Sequence, residues 1–191
     1  HVSQPAGFGL IYGISSFGLA RQLGIGRNEA QATMDRFFER YPGVRNFMER
    51  TKAEARRLGY VETLFGRRLY LPNINARNPA QRGGAERIAI NAPLQGTAAD
   101  LIKAAMIDLH GWLANNAPGV KMTMQVHDEL VFEGPEEVMQ SLAHTLAQQM
   151  VGVLQTGRAD RPAPLSVPLV ADFGLGSDWD TAHTATGHAS T

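Results

Sequence analysis

The sequence predicts an α+β fold: an antiparallel sheet backed by helices, with a helical subdomain attached. Three observations predict it. Residues 28–59 carry helical periodicity, interrupted only by Pro42. From about residue 80 the signals run helix, strand, strand, helix, strand. Apolar residues make up 43% of the 191, enough to fill a core and too many for wholesale disorder.

The elements follow in chain order. "FGLIYGISSFGLARQLGI" (8–25) is apolar, with glycines at 9, 13 and 18, and reads as helical pieces broken near Gly13. A helix starts near Asn28, a suitable N-cap, and Pro42 stops it. "VRNFMERTKAEARRLG" is an amphipathic helix ending at Gly59. In "YVETLFGRRLYLP" the period changes to strand-like segments around Phe65-Gly66, a hairpin. Residues 73–79 form a loop. A long helix runs from about Ala80 to Asn116, with Pro93 expected to kink or split it. "VKMTMQV" and "LVFE" are partner strands across a His-Asp-Glu turn. An amphipathic helix from Glu136, a loop containing "RADRPAP" and a last strand, "VPLVADFGLG", complete the pattern. The "RADRPAP" stretch reads as a surface variation. The tail 184–191 is small and polar and is expected to be disordered.

Composition excludes several chemistries. With no cysteine there are no disulfides, zinc-thiolate sites or cysteine nucleophiles, which fits a reducing compartment. No apolar run approaches a membrane span, and "HVSQPAG" is not a signal peptide. A soluble, intracellular chain is expected. The net charge of zero is a cancellation. Residues 56–103 hold eight Lys/Arg against three acids, while 128–180 hold nine acids against Arg158 and Arg161. Such a pair of segments suits a site that grips phosphate and also holds cations, although charge runs are also the ordinary composition of solvated faces.

Three constellations carry chemistry. In "MQVHDELVFE" (124–133), Asp128 and Glu129 are adjacent at a turn. Neighbours on a strand point apart, but at a tight turn both can project beyond the sheet. A hard divalent cation with oxygen ligands would offset their repulsion; an exposed acidic turn is the alternative. In "ERIAINAPLQGTAAD" (86–100), Arg87, Asn91 and Gln95 stand at i, i+4 and i+8, three hydrogen-bonding side chains along one helix face. Their donors suit the minor-groove edge of base pairs, where acceptors lie in similar places whatever the sequence. Ala85, Ala89, Ala92, Ala98 and Ala99 keep neighbouring positions small, consistent with close approach of another surface. In "FGLIYG" (8–13), Phe8 and Tyr12 put two rings on one helix face between glycines, a core stripe or a platform for a base.

These stretches, in this order, resemble family A DNA polymerases. "FGLIYG" is similar to the end of that family's fingers-helix motif. "VETLFGRRLYLP" and "AERIAINAPLQGTAADLIK" resemble its template-binding region and palm helices, and "VHDEL" its palm carboxylate motif. The resemblance runs from about residue 8 to His183. It implies the palm and part of the fingers of a right-hand polymerase, adding deoxynucleotides to a primer 3′ end by two-metal phosphoryl transfer. By the same resemblance Asp128 binds two magnesium ions with Glu129 as its secondary acid, and His127 contacts the primer end. Arg87, Asn91 and Gln95 contact the minor groove, and Arg82 of the basic stretch joins the DNA-binding set. Phe8 and Tyr12 wall the incoming nucleotide, and Ser15 and Phe17 lie near the template base. The implied partners are primer-template DNA and deoxynucleoside triphosphates, in a cytoplasmic, nucleoid-associated monomer serving replication and repair.

The departures matter too. At the family's nucleotide-binding lysine stands Gln4, and the arginine four residues earlier would fall before residue 1. No Asp-Tyr-Ser-Gln-Ile-Glu string, the setting of the other catalytic aspartate, occurs. The resulting division is a non-matching, foreign-looking leader at 1–7, a fingers part with hairpin at 8–79, a palm part at 80–183 and the tail. A C-terminal fragment inactive by itself is expected. The alternatives are a primer-template binding module without catalysis and an unrelated metal-dependent nuclease using His127, Asp128 and Glu129.

Overall fold

The computed structural model describes residues 12–155, 161–183 and, as a strand, 186–190. The chain divides into two compact units, His1–Thr97 and Ala98–Thr191.

The first unit opens on a turn at Tyr12-Gly13 and then α1 (Ser16–Leu23). The Ser15 hydroxyl accepts from Gly18 N–H at 3.2 Å and caps the helix, and Gly24, at φ 66°, ends it in the left-handed conformation. Helix α2 (Arg27–Arg40) begins after Gly26, so Asn28 lies inside it rather than capping it. Pro42 both ends α2 and occupies the first position of α3 (Pro42–Leu58). A missing N–H costs nothing there, because the first helical N–H groups have no intrahelical partner. The hairpin follows as expected, with β1 (Tyr60–Glu62) paired antiparallel to β2 (Arg68–Tyr70).

Helix α4 (Pro79–Asn116) is 38 residues long and contains the boundary between the units. The Asn78 side chain caps it, accepting from Ala80 N–H at 2.9 Å. Pro93 does not split the helix, which is continuous from Pro79 to Asn116. Proline removes one bond, the one Ala89 O would accept, and the surrounding bonds hold the helix together. The core of the first unit forms where Ala85 and Ala89 meet Ala55, Val61, Leu71 and Ile74. These alanines, with Ala92, are therefore packing positions and not a small surface left open for a partner.

In the second unit, β3 (Lys121–Val126) pairs antiparallel with β4 (Glu129–Glu133). Their core-facing residues Met122, Leu130 and Phe132 pack against Leu109, Leu113, Val120 and Leu146. Leu146 belongs to α5 (Glu136–Val151). A 3₁₀ turn, Gly152–Leu154, ends this segment. Strand β5 (Val170–Gly174) comes next, then the short α6 (Trp179–Ala182). The polar tail, expected to be disordered, contains β6 (Thr186–Ser190), which pairs antiparallel with β5. Main-chain pairing needs no apolar side chain, so composition alone missed it. The α+β class holds, but the strands pair as three two-stranded sheets among the described residues, not as one sheet.

The "RADRPAP" loop is not purely superficial. Arg161 is 6% exposed and donates to Asp108 Oδ1 at 2.9 Å, tying the loop to α4. A buried charge whose partner is removed is costly. Asp108→Ala is therefore expected to destabilise the second unit by about 3–5 kcal/mol, and Asp108→Leu with Arg161→Met by much less. Urea denaturation of the three proteins checks this.

Candidate nucleic-acid and nucleotide site

One set of candidate residues lies on the first unit. Gly13, at φ 75°, turns the chain immediately after Tyr12. A Cβ at Gly13 would stand 3.3 Å from Ile90 Cδ1 and 3.9 Å from Arg87 Cγ. The glycine therefore lets the Tyr12 turn lie against α4 beside Arg87. Phe8 lies outside the described residues. Phe17 is 66% exposed on α1, a free ring. Ser15 is exposed and uses its hydroxyl as the α1 cap.

Arg87 and Gln95 are both exposed and make no hydrogen bond or ion pair among the described residues. Ile88 and Leu94, next to them in sequence, are also exposed, at 50% and 41%. Asn91 differs. It is half-buried, and its Oδ1 is covered and without a hydrogen-bond partner among the described residues. Helical geometry turns the i to i+8 row by about 80°, so the three side chains do not form a strictly straight file.

The basic stretch is partly neutralised. Arg56 donates to Glu86 at 2.6 Å, and Arg68 to Glu62 at 2.6 Å. The Glu62 hydrogen bond and the neighbouring Tyr70 raise the Arg68 pKa above its ordinary value, so it stays charged. Arg82 donates to Ala76 O at 3.0 Å, which commits it to the loop before α4. Arg57, Arg77 and Arg87 remain exposed and unpaired among the described residues.

A separate set of candidate residues lies on the second unit. Val126 pairs with Glu129, so the β3–β4 turn consists of His127 and Asp128 alone. The register slips between Met122 and Met124, a bulge at Thr123. Beyond it Glu129 shares a face with Val126, Met124 and Val131, opposite the core-facing Leu130 and Phe132. His127 has φ 52°, the left-handed region that is uncommon for a side chain with a Cβ. The Gln125 amide holds this turn by donating to His127 O at 2.5 Å. Asp128 is exposed and has no partner among the described residues.

Glu129 has one neighbour the sequence did not suggest: His183 Nε2 lies 3.5 Å from its Oε2. His183 follows α6, whose N-terminus is held by a capping box between Asp178 and Thr181. These hydrogen bonds, first that from Thr181 N–H, lower the Asp178 pKa, so the cap is strongest in the ionised form. Exposed carboxylate oxygens on a turn have the right chemistry for a hard divalent cation. Their number is short: no group of three His, Asp or Glu side chains among the described residues could hold a metal ion.

Comparison with known proteins places this arrangement in a class. The structure matches the POL domain of Pol1 from M. smegmatis, solved in complex with DNA primer-template and dNTP. The TM-score is 0.81 with 38% identity, over 94% of this chain and 30% of that one. The fold is thus that of part of a polymerase POL domain. The family model for DNA polymerase family A matches residues 4–181, and the chain belongs to that family. DNA polymerase I of Pseudomonas aeruginosa is 52% identical over 176 residues, covering 92% of this chain and 18% of the relative. The corresponding protein of Streptococcus pneumoniae is 48% identical, covering 93% and 19%. The thermostable DNA polymerase I of Thermus aquaticus is 46% identical, covering 92% and 20%. The chain therefore spans about a fifth of the length of these relatives.

The His127 backbone gives a direct test of the turn. Replacement by Val is expected to destabilise the protein by about 1–2 kcal/mol, since left-handed backbone is poorest for bulky, β-branched residues. His127→Gly is expected to keep full stability. Thermal or urea denaturation of both variants decides it.

Proposed function

We propose that this chain supplies the palm and part of the fingers of a DNA-directed DNA polymerase, which extends a primer 3′ end on a DNA template. The observation that carries the reading is the His127-Asp128 turn, with Glu129 opening the next strand, in a chain of this family. Asp128 would be the principal ligand of magnesium and Glu129 the secondary acid. When bound, magnesium lowers the charge barrier between the primer oxygen and the triphosphate. His127, in the same turn, meets the primer end. Tyr12, with Phe8 before it, walls the incoming deoxynucleotide, and Phe17 meets the template strand. Arg87 and Gln95 offer donors to the minor groove, where sequence is read least and base-pair shape most. Asn91 contributes from a more enclosed position. The working setting is the bacterial cytoplasm, at the nucleoid; no helix among the described residues is long and apolar enough to cross a membrane.

One observation favours a second reading for the 191-residue chain taken alone. Two carboxylates without a third ligand hold magnesium poorly, and Gln4 carries no charge for a triphosphate. Taken alone, the chain binds primer-template DNA without extending it. A primer-extension assay with magnesium and four deoxynucleotides, run on this chain with and without the Asp-Tyr-Ser-Gln-Ile-Glu-bearing region of a relative, separates the two readings.

Two outcomes are expected. In the active, extended protein, Asp128→Asn lowers incorporation by roughly 10²–10³, the scale of losing one preorganised electrostatic group, while DNA affinity stays nearly constant. Full activity in that variant would remove Asp128 from the site. Binding of duplex DNA falls as salt rises, because phosphate contacts release counterions. Arg87→Ala is expected to weaken binding and reduce the slope of log affinity against log salt by about 1, measured by fluorescence anisotropy.

A further inference from the structure

The loop of the β1–β2 hairpin is fastened to one turn of α4. Leu64 N–H donates to Thr97 Oγ1 at 3.0 Å, and Arg67 Nη2 donates to Gly96 O at 3.1 Å. Thr63 organises the loop from within. Its Oγ1 accepts from the N–H groups of Phe65 and Arg67, both at 3.2 Å. Its backbone bonds Arg67 O and Gly66 N–H, each at 3.0 Å. The Thr63 methyl then meets α4 where no side chain intervenes: a Cβ at Gly96 would lie 2.6 Å from Thr63 Cγ2. Thr63 and Thr97 are both only 9% exposed, so their hydroxyls work away from bulk water, where leaving an N–H unpaired is costly.

Gly96 and Thr97 directly follow Gln95. Gln95 itself is exposed and makes no side-chain hydrogen bond among the described residues, so only the backbone aims it. We infer that the hairpin loop and the Gly96-Thr97 turn form a lock that positions Gln95, making Thr63, Arg67 and Thr97 positioning residues for recognition of base-pair shape in the primer-template. The inference rests on the reading of Gln95 as a minor-groove donor. A hydrogen bond weakens steeply as its angle departs from linearity. A donor on a fixed backbone therefore rejects a displaced acceptor, while a donor on a loose one follows it. A mismatch displaces the acceptors, so the lock converts base-pair shape into affinity.

The test uses the 191-residue chain and two duplexes, a matched primer-template and one with a mismatch at the primer end, followed by fluorescence anisotropy at fixed salt. Thr97→Val keeps the shape and removes the acceptor for Leu64 N–H; Thr97→Ser keeps the hydroxyl. Thr97→Val is expected to lower the matched-to-mismatched affinity ratio by roughly three- to tenfold. Thr97→Ser is expected to restore the ratio, and the salt slope is expected to stay unchanged in both. A Thr97→Val protein that loses affinity for both duplexes alike, with the ratio intact, overturns the lock. Should Thr97→Val fail to fold, Arg67→Lys, at an exposed position and with charge retained, carries the same expectation, because an ammonium does not reproduce the guanidinium fork. Gln95→Ala separates the two levels. If it leaves the ratio unchanged, the minor-groove reading fails and the inference with it. If it collapses the ratio while neither Thr97→Val nor Arg67→Lys lowers it, the lock alone fails.

Discussion

The first unit depends on how closely other elements can approach α4. Ala85 and Ala89 are 6% and 0% exposed because α3 and the segment after the hairpin press directly on them. Gly96 extends the same constraint toward the loop, where even a methyl group would collide with Thr63. Burial of small side chains contributes little apolar area per residue. What it contributes is position. Buried alanines on one side of the helix leave Arg87 and Gln95 on another, facing solvent and unpaired among the described residues. Gly13 repeats the device at the other end of this face, bringing the Tyr12 turn against Arg87.

The second unit is organised around charge. Two adjacent carboxylates repel, and the fold separates their circumstances: Asp128 stands in the turn, exposed, and Glu129 in the strand with His183 at 3.5 Å. The turn that achieves this holds His127 in a left-handed conformation, a strain of the kind that persists where the surroundings impose it. A third acid, Asp108, is used quite differently, partly buried and paired with Arg161 to fasten a loop. Of these acids only Asp128 is exposed with no partner among the described residues.

Much of the fold was legible in the sequence because its signals are local. The ends of α2 and α3 at Pro42 and Gly59, the hairpin around Phe65-Gly66 and a turn after Val126 all come from residues within a few positions of each other; only Glu129, read as part of that turn, belongs to the strand instead. Local rules failed where context reversed them. Pro42 stops one helix but starts the next, Pro93 does not split the long helix, and the polar tail pairs through its backbone. For the site, the spacing of Arg87, Asn91 and Gln95 and the adjacency of Asp128 and Glu129 were readable, yet the enclosure of Asn91 was not.

The sequence by itself determined the family, the helix and hairpin signals, and which residue types stand together at the turn and along α4. Only the tertiary structure decided which polar groups are spent on the fold and which are left for a ligand. Arg56 is taken by Glu86, 30 residues away, the Leu64 N–H by Thr97, 33 away, and Arg161 by Asp108, 53 away. Capping, periodicity and turn strain act within a few residues and are written in local order. Ion pairing, burial and the space a glycine leaves depend on which distant segments the core brings into contact.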